Sequence, residues 1–139
     1  MGLDQYAYAR EAGEDSDSNV EISYWRKHNR LHGYMEQLWR DKGKPNAPED
    51  GENPMGDFNC IPVRLTLSDL EQLEAHIHNK VLPETGGFFF GDDSYSWDNE
   101  DGKPFEEGDY YYKQTDLEFI ELARKAIEEG KEVYYDSWW

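Results

Sequence analysis

Apolar residues recur along this chain with two periods, and the alternation between them predicts three helices set among short strands. From Leu3 to Arg10 tyrosine and alanine alternate, with Tyr6 and Tyr8 on one side, as in a strand. Glu11 to Asn19 is acidic and carries serine and glycine, which predicts a loop. From Glu21 to Lys42, Tyr24, His28, Leu31, Met35 and Leu38 step by three and four, the stripe of a helix. Trp25, His32 and Trp39 flank that stripe, and Arg26, Arg30, Gln37 and Arg40 lie opposite. Gly43 is a stop signal, and Gly33 inside the helix marks a close approach by another element. Residues 43–59 hold three prolines and three glycines and read as a long polar loop.

Ile61 to Leu67 alternates again, with Val63, Leu65 and Leu67 on one face of a strand. Ser68-Asp69-Leu70-Glu71 has the form of a capping box, opening a helix with Leu70, Leu73, Ile77 and Val81 inward and ending near Leu82-Pro83. Phe88 to Phe90, between Gly86-Gly87 and Gly91, reads as a short aromatic strand. Residues 92–109 form a second long polar loop, and Tyr110 to Tyr112 has the composition of a further strand. Thr115-Asp116-Leu117-Glu118 repeats the capping pattern before Leu117, Ile120, Ala123 and Ile127, with Phe119 and Leu122 beside them. Gly130 stops this helix, and Lys131 to Trp139 is a last strand whose terminal tryptophans are expected to be docked. Together these elements predict one α+β domain over residues 1–139: a small mixed sheet with about three helices packed largely on one face.

Charge changes the picture next. The chain carries 14 Lys+Arg against 31 Asp+Glu, a formal net charge of −17, which argues against direct binding to nucleic-acid backbone or anionic membrane. Acidic chains poor in aromatics stay disordered, but here aromatics make up 15% of residues, enough to build a core. The one cysteine, Cys60, permits no internal disulfide. No apolar run approaches the roughly 18 residues of a membrane span, and Met1 to Gln5 lacks a signal pattern. A cytoplasmic protein is expected.

Motifs that would carry chemistry are weak. His28 and His32 stand one helical turn apart, as in a two-histidine metal site, but Asn29 occupies the place where the metalloprotease pattern needs glutamate. They are weak metal candidates, with packing the simpler reading. Placing Gly102 at the sixth position of a calcium loop puts Trp97 at the first, so the 92–109 carboxylates do not fit that frame. The glycines of 86–91 lack the following helix and the Lys-Ser/Thr of a phosphate loop. Cys60 has no nucleophile signature around it. No cofactor is called for, and the balance leans away from an enzyme.

One electrostatic feature stands out. Arg26, Lys27, Arg30, Arg40, Lys42 and Lys44 face only Glu36 and Asp41 over residues 23–44, a basic stretch on an acidic body. It is read either as internally neutralised or as a docking face.

Several segments together carry a resemblance: the opening Met1-Gly2-Leu3-Asp4, the run Tyr24-Trp25-Arg26-Lys27-His28-Asn29, the segment Leu82-Pro83-Glu84-Thr85-Gly86-Gly87-Phe88-Phe89-Phe90-Gly91, Asp116-Leu117, and the closing Tyr134-Tyr135-Asp136-Ser137-Trp138-Trp139. The chain resembles, over nearly its whole length, a family of small proteins of tailed bacteriophages. The resemblance implies an accessory protein acting in a bacterial cytoplasm and brings no catalytic residues with it.

Three functional expectations follow. The first is a non-enzymatic binding protein that engages or inhibits a host or phage protein, through Trp25, Arg26, Lys27, Arg30 and Arg40 or through Phe89, Tyr95 and Trp97, since arginine and aromatics dominate interface energetics. The second is an acidic mimic of nucleic acid that blocks a DNA-binding protein. The third is a small enzyme or ligand-binding protein with Trp25, Arg26, His28, His32 and Asp136 in one site.

Overall fold

The computed structural model describes residues 2–13, 19–45, 58, 61–83, 85, 93–99 and 101–138. They form strands β1 (Asp4–Glu11) and β2 (Val20–Arg26), helix α1 (Asn29–Asp41), strand β3 (Val63–Leu65), helix α2 (Leu67–His78), one 3-10 turn at Ser94–Ser96, helix α3 (Lys113–Glu128) and strand β4 (Lys131–Trp138). The sheet order is β2-β1-β4-β3, and every pairing is antiparallel. This is the α+β architecture that the alternating periods imply, with antiparallel ladders throughout where a mixed sheet was expected. Among the described residues no helix is long and apolar enough to cross a membrane.

The sheet has two unlike faces because its strands alternate. Ala7, Ala9, Trp25, Val63, Leu65, Val133 and Tyr135 are buried on the helix side. α3 packs there against β2 and β4, the two neighbours of β1, whose inward residues include the small Ala7 and Ala9. Trp25 meets Phe119 of α3 edge to face at 5.1 Å, and Leu31, Met35, Leu70, Leu73, Ile77 and Ile120 complete the core. Tyr6 and Tyr8 share one side as predicted, and that side is the outer one.

The largest departure from the sequence pattern lies at residues 20–28. The predicted helix from Glu21 is a strand as far as Arg26, with Tyr24 opposite Tyr6 and Trp25 opposite Gln5. Val20, Ile22, Tyr24 and Trp25 are β-branched or aromatic and favour the pleated ladder. The helix starts only after Lys27, whose φ of 57° breaks the strand. Gln5 fixes this corner: its Oε1 accepts the His28 N–H at 2.8 Å and its Nε2 donates to the His28 carbonyl at 2.9 Å.

Neither predicted capping box is used: the first gives way to one two residues earlier, and the second has no counterpart. Thr66 caps α2, accepting from the Asp69 N–H, while the Asp69 carboxylate accepts from the Thr66 N–H. Thr115 lies inside α3, which starts at Lys113 without a side-chain cap, and Tyr110 to Tyr112 is the turn leading into it, not a strand. α2 ends at His78, leaving Val81 exposed. Leu122 and Trp138 are exposed as well, so the expected docking of Trp138 does not occur. Gly130, at φ 88°, turns α3 into β4 as predicted. Gly33 does mark a close approach: a Cβ there would overlap Thr85 Oγ1. Cys60, Phe88, Phe89, Phe90, Trp139 and most of the 43–59 loop lie outside the described residues.

Candidate functional site

Two features of this fold combine groups of chemical interest: a polar network sealed inside it and an aromatic face left open outside it. The network centres on Asp116, in the first turn of α3, where the free N–H groups of the helix favour a carboxylate. Its Oδ1 accepts from Trp25 Nε1 at 2.9 Å, and its Oδ2 accepts from the Tyr110 hydroxyl at 2.6 Å and from His28 Nε2 at 2.9 Å. His28 Nδ1 lies 3.0 Å from Ser94 Oγ. Asn29 Oδ1 accepts the Ser94 N–H at 3.0 Å. A second chain joins it through Gln5, which donates to the Tyr135 hydroxyl, which in turn lies 2.8 Å from His32 Nδ1. Burial pushes His32 down to about 3, so its ring is neutral.

Serine, histidine and aspartate connected in series are the parts of a nucleophilic relay. Here they do other work. Ser94, His28 and Asp116 are each at most 1% exposed. The clefts lined by described residues at Ala9–Lys131, Phe105–Leu117 and Asn99–Thr115 include none of the three. Asp116 is shared with a tryptophan and a tyrosine, and all three donors converge on it from different elements. The network ties β2, the β2–α1 corner, the 3-10 turn and α3 together, at residues whose separation in sequence hides the connection.

The open face is the outer surface of β2, β1 and β4. Asp4, Tyr6, Tyr8 and Arg10 project from β1, Glu21, Tyr24 and Arg26 from β2, and Glu132, Tyr134, Asp136 and Trp138 from β4. Tyr6 and Tyr24 lie 5.3 Å apart between ring centroids, and Tyr8 stacks on Tyr134 at 5.6 Å. Tyr24 is 45% exposed and Trp138 63%. The Arg10 guanidinium sits 4.4 Å above the Tyr134 ring, and Arg64 of β3 pairs with Glu132 at 3.5 Å.

Charge is unevenly matched across this face. The Tyr24 hydroxyl donates to Asp4 at 2.8 Å, which raises Tyr24 to about 12. Tyr6 is raised by burial and by the negative field of Asp4, Glu21 and Asp136. Asp136 stands opposite Tyr6 in the β1–β4 ladder. It accepts the Ser137 N–H at 2.8 Å, has no ion pair among the described residues, and is raised by burial.

The residues singled out from sequence do not converge. Trp25 is wholly buried on Asp116, which removes it from any contact surface. Arg26 is exposed on the outer face and Lys27 is in the corner after β2, so neither belongs to a helix. Arg30 is held by Asp93 in a paired contact at 2.7 Å, donates to the Leu82 carbonyl and covers Tyr95 at 4.1 Å. That pairing holds Asp93 below the usual carboxylate range. Arg40 pairs with Glu36 one turn away. The basic stretch is thus divided among a strand, a corner and a helix. Tyr95 is half-buried beneath Arg30, and Trp97 packs on Tyr111 and Tyr112 at 5.4 and 5.6 Å. Phe89 lies outside the described residues. His28 and His32 are on the inner side of the sheet and Asp136 on the outer, so the enzyme site of the third expectation is not assembled. Among the described residues no three His, Cys, Asp or Glu side chains gather to hold a metal ion.

Fold and face together define an α+β domain whose antiparallel sheet carries no helix on its outer face among the described residues. No protein-family model matches the chain, and no match was found among curated proteins or among solved structures.

Proposed function

We propose that this chain is a non-enzymatic binding protein that docks a partner protein on the outer face of its sheet, and that it serves a phage by engaging a host or phage protein. The observation that carries the reading is the set Tyr6, Tyr8, Tyr24, Tyr134 and Trp138 on one face of the sheet, with Tyr24 and Trp138 exposed and the other three half-buried. Tyrosine and tryptophan offer large contact area at small entropy cost and dominate interface energetics. The paired strands beneath hold the rings in place before any partner arrives, which reduces the ordering cost of association. The reactive trio Ser94, His28 and Asp116 is used up inside the fold, which supports a binding role over a catalytic one.

The test places a photo-crosslinking residue at Tyr24, and separately at Glu121 on the exposed side of α3, in cells that produce the protein. A discrete covalent adduct from position 24 and none from position 121 is the expected result. Equal adducts from both positions, or none from position 24, would overturn the reading.

A further inference from the structure

We infer that the part of the open face around Tyr6 and Asp136 receives a lysine or arginine side chain from a basic segment of the partner protein. The inference rests on the docking role proposed above and gives the partner its chemistry. Asp136 is a partly desolvated carboxylate on the outer face with no ion pair among the described residues. Asp4 and Glu21 add negative field at the same tyrosine, Tyr6, whose ring also meets that of Tyr24 at 5.3 Å.

A cation placed there meets a carboxylate and the faces of electron-rich rings together. These two attractions reinforce each other when water is excluded. The face already shows such an arrangement at its far end, where Arg10 covers Tyr134 at 4.4 Å. Arg10 thus fills the Tyr8–Tyr134 end with a cation from the chain itself, and Arg64 neutralises Glu132. Among the described residues Arg26, opposite Asp4, is the cation of the other end, on the opposite side of Tyr6 from Asp136. Asp136, like Glu21, has no such companion among the described residues, and of the two it is the one partly withdrawn from water beside Tyr6. The net charge of −17 extends the same preference outward, since it steers positively charged segments toward the molecule and repels acidic ones.

The experiment titrates the full chain with a synthetic lysine- and arginine-bearing peptide and with its glutamine-substituted counterpart, followed by amide chemical shifts. The basic peptide is expected to bind, shifting residues of β1 and β4, and the glutamine peptide not to bind. Asp136→Asn is expected to weaken the basic peptide about tenfold, while Glu121→Gln, which removes the same charge from α3, leaves affinity within about twofold. Thermal melts establish that both variants fold.

Equal weakening by the two substitutions would mean diffuse attraction to an acidic protein and would overturn the inference. So would equal binding of both peptides. The crosslink at position 24 reads docking without regard to charge. An adduct there with no peptide preference removes the basic partner and leaves the docking role; no adduct removes both.

Discussion

Asp116 shows what single residues do in this protein. A carboxylate with no exposure is costly unless donors surround it, and three do. Asp116→Asn presents an amide donor to groups that themselves donate. It is expected to destabilise the fold by about 3 kcal/mol or more, read as a lower urea midpoint. His32 gives the pH dependence. Its folded value, about 3, lies below its unfolded value near 6.5, so the unfolded chain takes up the proton first. The contribution of His32 is fully present above pH 6.5 and is lost as pH falls toward 3, at about 1.4 kcal/mol per pH unit. Stability measured from pH 7.5 to 5 should fall with a slope that His32→Gln reduces. An unchanged slope would show that the ring is already protonated or solvated. Packing of His28 and His32 was the simpler reading of the sequence, and both are buried, but the network itself was not legible, because residues 28, 94 and 116 meet only through the tertiary fold.

At the scale of elements, the sequence was legible where one period ran without a rival. Leu31, Met35 and Leu38 mark α1, and Leu70, Leu73 and Ile77 mark α2, and all six are buried. It misled at residues 20–28, where Tyr24 and His28 continue the four-residue step of α1 by coincidence while the β-branched and aromatic composition already favoured a strand. The caps repeat the lesson. Thr66-x-x-Asp69 and Ser68-x-x-Glu71 both fit the capping pattern, and only the place where β3 ends selects the first. Thr66→Ala should therefore cost about 1 kcal/mol, and Ser68→Ala close to nothing, in thermal melts of the two variants. The reverse order would move the start of α2 to the site read from sequence. The open face was half legible. Tyr6 and Tyr8 were placed together, but an aromatic strand face serves equally as core or surface; the structure puts the small Ala7 and Ala9 that alternate with them inward and the tyrosines outward.

For the whole molecule, a core of aromatic and aliphatic side chains on one side of the sheet balances the self-repulsion of the acidic exterior. The same division of faces leaves the other side of the sheet for contact. The expected basic helix face does not exist as one surface, since Arg26, Arg30 and Arg40 are distributed over different elements and Arg30 is occupied by Asp93. What remains is a rigid tyrosine surface whose rings are not needed to hold the core. The most direct measurement strips that surface and leaves the fold. Tyr6→Ser and Tyr24→Ser are combined in one chain, with the crosslinker moved to Trp138 on the same face and the Trp138-crosslinked parent as reference. The combined variant should keep a near-parental melting temperature and lose the adduct. An undiminished adduct from the folded variant would contradict the docking face.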